Sequence, residues 1–460
     1  MTSQFQRLRT DRTLVIVRWP SKAVGLPDST ALEGHPTKRS ATVLTSPVTA
    51  LHVLLGLILL LAPFRECQAG DWPQILGPAR NGEARDEPVI PKWTAAGPKR
   101  LWSYSVGQGF AGPAVAGNRV IVFHRDGGAE RVEALDAATG KSLWKTDFPA
   151  TYVGTVNPDF GPRCVPLIHG DRVYVFGAAG DLHCVDLNDG AKRWTREAYR
   201  EFDGDEGYFG AGSTPIIAAG KLIVNVGGRG AGLVAFDLDS GKTVWQASDE
   251  GASYSSPTLA TVSGQTHAVF VTRLNAISVD PSNGKIRFRF PFGRTGTTVN
   301  GATPLVFDDY LFVSSSYGVG ANLSQISGDR IKEIWANDNV MSSQYSTCVY
   351  RDGFLYGTHG REDYQNGVLR CFEAKTGEVK WTVSGFGVAH TILVGDRLLL
   401  SGVDGRLRLA EVNSKAYREI ASAEISTNVT RSLPALSNGK FYFRDNGSQG
   451  GKLICLELAK

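Results

Sequence analysis

No two cysteines stand side by side in this chain, and no Cys-x-x-Cys-His string occurs. The second absence excludes c-type haem attachment. The histidines beyond residue 69 (His124, His169, His183, His267, His359 and His390) stand singly, without zinc-like spacing, so no metal site is expected. A charge excess is also missing. The 49 basic residues face 45 acidic ones; the first 69 residues hold eight and four of these, leaving 41 of each. A basic nucleic-acid footprint is thereby excluded. Leu-, Ala- and Lys-rich helical stretches are scarce. The main apolar run, residues 50–62, is shorter than the roughly 20 residues that span a bilayer.

What is present is glycine, 53 residues of it, between short Val/Ile/Leu/Phe/Tyr runs punctuated by Asp and Asn. That pattern is all-β. The 50–62 run follows Lys38 and Arg39 and precedes Cys67-Gln68-Ala69, with small residues placed for cleavage before Gly70. Residues 47–69 therefore read as a signal peptide, and the mature protein as exported to the periplasm or cell envelope. Residues 1–46 read as an unstructured or mis-assigned extension, which leaves the true start codon open. Only if the run stays uncleaved is membrane contact expected. Residues 70–98 open turn-rich at Asp71-Trp72-Pro73 and read as a strap across the fold.

From residue 99 to 460 one unit recurs every 40–50 residues, roughly the spacing of repeat architectures. Its clearest copy is Ala134-Leu135-Asp136-Ala137-Ala138-Thr139-Gly140-Lys141-Ser142-Leu143-Trp144. Asp and Gly suit a tight turn: the carboxylate bonds nearby backbone, and Gly takes φ > 0 at no steric cost. The Trp buries a large flat surface, so Trp102, Trp144, Trp194, Trp245, Trp335 and Trp381 are assigned to docking between neighbouring sheets. Four strands per unit, radially arranged, give an eight-bladed β-propeller. Some copies depart from the pattern. Phe288 replaces Trp in the fourth, the third strand of the fifth looks degraded near Ala321–Gln325, and the seventh lacks its aromatic. The eighth has three strands, and the N-terminal strand Lys99–Val106 is expected to close the ring as its fourth.

Residues 134–144 match every fixed position of the tryptophan-docking repeat of pyrroloquinoline-quinone-like propellers, and the resemblance spans residues 99–460. The family includes quinoprotein alcohol dehydrogenases and the non-enzymatic propeller lipoprotein of the outer-membrane β-barrel assembly machinery. Its catalytic members characteristically use an adjacent-cysteine disulfide, a stacking Trp, a calcium or lanthanide and an Asp base. This chain has no adjacent cysteines and no evident set of such ligands. The resemblance thus favours the assembly propeller: a non-catalytic binding scaffold with a protein partner in the envelope, monomeric, with no cofactor and no catalytic residue. The alternative is an oxidoreductase using the quinone with calcium on alcohols or sugars.

Cys184, Cys371 and Cys455 fill the small-residue slot two before the acid and read as packing residues. Cys164–Cys184 and Cys348–Cys371 would join strands two sheet spacings apart, about 9.6 Å, so no disulfide is expected within either pair. The Gly-rich stretch 226–232 joins two strands of a hairpin, which argues against a phosphate loop. One face of the propeller carries tight turns. The other is expected to carry long connections, including 124–128, 152–163, 201–209, 358–366 and 444–449, and rigid scaffolds place binding on such loops. The binding candidates are His124, Arg125, Asp205, Tyr208, Phe209, Arg229, His359, Arg361, Tyr364 and Arg444.

Overall fold

The computed structural model describes residues 70–447 and 450–459. The expected extension and signal peptide lie outside them. The described chain forms eight antiparallel sheets in sequence order. In the first blade the strands are Ala114–Ala116, Arg119–Asp126, Ala129–Asp136 and Ser142–Pro149. The two middle strands are buried almost without interruption because neighbouring blades cover both faces, whereas the outermost strand alternates between buried and exposed positions. Lys99–Val106 pairs antiparallel with Gly451–Glu457, with Trp102 opposite Cys455, and so completes the eighth blade. The eight-bladed propeller and its closure follow the sequence reading.

The tryptophans dock across blades. The indole N–H of Trp102 donates to the Ala137 carbonyl at 3.1 Å, and that of Trp144 to Leu187 at 3.0 Å. Trp194, Trp245, Trp335 and Trp381 repeat the bond to Leu238, Pro281, Ala374 and Asn413. Each acceptor belongs to the turn before the outer strand of the next blade. In the first blade that turn is built by Asp136, whose Oδ1 accepts the Thr139 N–H and hydroxyl at 2.8 and 2.7 Å. Gly140 follows at φ 71°, and a Cβ there would lie 2.6 Å from the Trp102 ring. Gly190, Gly241 and Gly284 approach Trp144, Trp194 and Trp245 as closely. The motif is therefore one interface written in two parts, the Trp on one blade and the Asp–Gly turn on the next.

Its exceptions follow from this division. The fourth blade offers Phe288, and the fifth blade turns on only Gly328 and Asp329. There Arg287 takes over, bonding Asp329 at 2.7 Å and Asp280 at 2.8 Å. In the seventh blade Ala421 stands in the Trp register, while Tyr417, in the turn of the same blade, packs against Trp381 of the sixth.

Two expectations require correction. The third strand of the fifth blade is not degraded: Gly320–Ser327 is a regular eight-residue strand paired on both sides. Its polar residues Asn322 and Ser324 are buried and bonded to each other at 2.6 Å, and this polarity hid the strand in the sequence. The 124–128 connection is not a long loop. Strand pairing continues through Asp126↔Ala129 and leaves a two-glycine turn.

The strap lies over the tight-turn face. Trp72, 2% exposed, bridges to Val115 of the first blade. Glu83–Ala84 adds in parallel to the inner strand Ala389–Val394 of the seventh blade, making a fifth strand. Glu87 accepts the N–H groups of Asn438 and Gly439 in the eighth, both at 2.7 Å. Between these anchors the buried Arg80 reaches the carbonyls of Thr214, Pro215 and Pro257 in the third and fourth blades. All five cysteines among the described residues are free and buried. Cys184 and Cys371 sit opposite Trp194 and Trp381 in register, as packing residues should.

Candidate functional site

The face opposite the strap carries the blade-to-blade connections. The third residue before Pro113, Pro166, Pro215, Pro257, Pro304, Cys348, Thr391 and Pro434, which mark the start of the inner strand in successive repeats, is Phe110, Arg163, Gly212, Tyr254, Gly301, Tyr345, Val388 and Arg431. Sequence reading missed this set, although alignment of the repeats on Pro113, Pro166, Pro257 and Pro434 would expose it. Arg163 and Arg431 flank Phe110, with guanidinium carbons 5.6 and 5.2 Å from its ring centroid. Arg431 bonds Glu362 through two nitrogens at 2.7 and 2.8 Å, and Tyr345 donates to the same carboxylate at 2.5 Å. Burial pushes Glu362 up, but the bonds from Arg431 and Tyr345 outweigh it and hold the carboxyl below its ordinary range. The hydrogen bonds of Arg163 go to carbonyls of its own loop, at Gly161 and Asp159, and burial lowers its pKa.

The ten binding candidates fall into three groups. His124 and Arg444 do not belong to loops. Both are strand residues buried where the first and eighth blades meet, 3% and 0% exposed. His124 Nδ1 accepts the Gly107 N–H, and Arg444 donates to the Gly107 carbonyl at 2.6 Å. They fix the ring closure and are withdrawn as surface binders. The misreading arose because polar residues at a strand end look like loop residues.

Asp205, Tyr208 and Phe209 lie in the connection after the short helix Ala198–Phe202. The hydroxyl of Tyr254 holds this connection, accepting both the Tyr208 and Phe209 N–H groups at 2.9 Å. Arg125 steadies the neighbouring connection by donating to the Tyr152 carbonyl at 2.6 Å. Arg229 is exposed in a two-residue turn of the third blade.

On the fifth and sixth blades, Arg361 is stacked between Tyr317 and Tyr364, 4.1 and 4.4 Å from their centroids, and paired with Asp363. Tyr364 is 67% exposed, and Tyr317 holds φ 68°, a costly backbone conformation for an aromatic residue. His359 sits behind them, its pKa lowered to about 4 by burial and then by Arg370.

Two cavities open on this face, of about 990 and 420 Å³. The larger lies between the 151–155 and 197–207 segments, and the smaller runs on toward Tyr254, Arg273 and Asn300. Among the described residues, no three His, Cys, Asp or Glu side chains converge as a cation would need. A quinone with its calcium would therefore find fewer than three such side chains together to hold it among the described residues.

The chain matches the family described as outer membrane protein assembly factor BamB over residues 84–147 and 128–383. It is 23% identical over 362 residues to the BamB of Moranella endobia, covering 72% of this chain and 85% of that protein. A 122-residue stretch is 35% identical to the quinohemoprotein alcohol dehydrogenase ADH IIB of Pseudomonas putida, but it covers only 25% of this chain and 17% of that enzyme. Among solved structures, BamB from Moraxella catarrhalis superposes with a TM-score of 0.57 at 17% identity, covering 78% of this chain and 99% of that one. The quinohemoprotein alcohol dehydrogenase of Comamonas testosteroni gives 0.60 at 13% identity, covering 86% and 82%. At such identities the two structures establish the shared propeller fold alone. The family match spans well over half of the sequence, and this chain belongs to the outer membrane protein assembly factor BamB family.

Proposed function

We propose that this chain is an exported, non-catalytic scaffold of the cell envelope that binds a protein partner through its loop-rich face. The observation that carries the reading is the family match, supported by an alignment that takes in most of a BamB protein end to end. The loop face supplies rigid aromatic and arginine groups of the kind that dominate protein interfaces, Tyr364 and Arg361 on one side and Tyr208 and Phe209 on the other. The proposed location is the periplasm or envelope, with residues 47–69 as signal peptide, 70–98 as strap and 99–460 as a monomeric propeller. Pull-down from native membranes tests it. Envelope proteins should co-purify with the wild type and be lost with the Tyr208→Ala, Phe209→Ala, Tyr364→Ala triple variant.

The rival reading, a quinone-dependent oxidoreductase, draws on the 35% match to the alcohol dehydrogenase. Stoichiometric uptake of pyrroloquinoline quinone with calcium, followed by alcohol- or sugar-dependent dye reduction, would establish it and overturn the scaffold.

A further inference from the structure

The two cavities of the loop face share Tyr199, Asp205, Glu206 and Gly207, so they form one continuous trough across the second to fourth blades. The wide part is bordered by Asp181, Glu197, Asp203, Asp205 and Glu206. Its one cationic side chain, Arg200, is already paired with Glu197. The narrow end holds Arg273, which is committed to the carbonyls of Arg294 and Gly296 at 2.8 and 2.7 Å. Five carboxylates thus face two guanidiniums, Arg200 and Arg273, and the lining keeps an excess of negative charge. Burial, and then the neighbouring carboxylates Glu197 and Asp205, raise the pKa values of Asp181 and Glu206 respectively.

A second observation is independent of the carboxylates. Tyr199 lines both cavities where they meet and is 7% exposed. Its ring is wedged between glycines: a Cβ at Gly180 or Gly204 would come within 2.1 or 2.6 Å of it. Among the described residues no hydrogen bond to its hydroxyl is made, and after burial it is Cys164, Tyr254, Asp205 and Glu206 that raise its pKa. A phenol that lines a cavity and bonds no protein group can exchange its water for an acceptor or donor from outside.

We infer that this trough binds an extended basic polypeptide segment, with lysine or arginine side chains against Asp181, Asp205 and Glu206 and a backbone group on the Tyr199 hydroxyl. The inference rests on the scaffold reading of the loop face. A polypeptide fits better than a metal ion because the carboxylates are spread along the trough and do not converge. It fits better than a free amine because the trough also offers apolar and backbone surface. Val153, 69% exposed, stands at its edge, and Gly207, Gly227 and Gly251 line it without side chains.

The test titrates the full-length protein against a short fluorescein-labelled peptide alternating lysine and valine, read by fluorescence anisotropy. Saturable binding is expected. It should weaken about tenfold in the Asp205→Asn, Glu206→Gln double variant, and roughly threefold in Tyr199→Phe, as for loss of charge-assisted and neutral hydrogen bonds. Melting temperatures should stay unchanged, since both carboxylates are exposed and phenylalanine keeps the wedged ring. A glutamate–valine peptide should not bind. No binding of the lysine peptide, equal binding by the variants, or spermidine binding as tightly as the peptide would each overturn the inference. A protein that captures envelope partners yet ignores the peptide loses the trough and keeps the scaffold. One that binds the peptide but captures no partner loses the scaffold and keeps the trough.

Discussion

Replacing Gly140 with alanine probes the repeat at its narrowest point. Gly140 holds φ 71°, and a Cβ there would lie 2.6 Å from Cδ2 and 2.7 Å from Cε3 of Trp102. The left-handed backbone costs alanine about 1 kcal/mol, and forcing the indole aside adds about 2 kcal/mol, so a loss of about 3 kcal/mol is expected. Trp102→Ala alone should cost about 4 kcal/mol, because the ring is 8% exposed and bonds the Ala137 carbonyl. In the Trp102→Ala background the clash is gone and only the backbone term remains. Gly140→Ala should then cost about 1 kcal/mol, a coupling of about 2 kcal/mol across the first and eighth blades. Equilibrium urea denaturation followed by far-UV circular dichroism measures all four corners of the cycle. Additivity within about 0.5 kcal/mol would refute the idea that Trp and Gly are two halves of one interface.

Three further outcomes follow from buried groups. Glu130 is 4% exposed and accepts the Ala178 N–H at 2.9 Å, and burial raises its pKa from 4.5 to about 7. The folded state keeps a proton that the unfolded chain releases between these values, so Glu130 makes stability fall as pH rises through that window, by up to about 3 kcal/mol, and level off above it. Glu130→Gln should flatten that part of the profile; urea midpoints at about pH 5 and about pH 8 that shift as in the wild type would contradict this. Arg80→Ala strips donors from the buried carbonyls of Pro215 and Pro257 and should cost about 3 kcal/mol, with Arg80→Lys recovering part of the loss. An unchanged melting temperature would show that the strap does not hold the ring through this residue. Burial raises the thiols of Cys184, Cys348 and Cys455 to about 12, so iodoacetamide should leave their peptides unmodified by mass spectrometry until urea unfolds the protein.

The propeller was readable because its determinants are local. Asp136, Gly140 and Trp144 lie within one turn and its flanking strand, and the same grammar recurs with little change. What the grammar could not convey is which blade each residue serves. Trp144 and Gly140 look like partners in sequence, yet Trp144 docks on the Leu187 carbonyl and Gly140 receives Trp102. The site was harder to read for a related reason. The groups at its centre come one per blade from connections of differing length, so Arg163, Tyr254 and Arg431 have no shared local signature beyond their distance from the strand opening. His124 and Arg444 show the opposite error, since polar character at a strand end said nothing about the neighbouring blade that buries them. Tyr199 is a third case. It sits in the short helix Ala198–Phe202, which interrupts the strand grammar, and only the approach of Gly180 and Gly204 reveals why its ring is fixed there.

The central claim is that the face opposite the strap meets a protein partner in the envelope. Site-specific photocrosslinking in native membranes tests it most directly, with the crosslinker placed in turn at Tyr208 and Tyr364 on the loop face and at Asp189 in a tight turn of the other. The account predicts discrete adducts with envelope proteins from the first two positions and none from Asp189. Adducts from Asp189 alone, or none from any position, would contradict it.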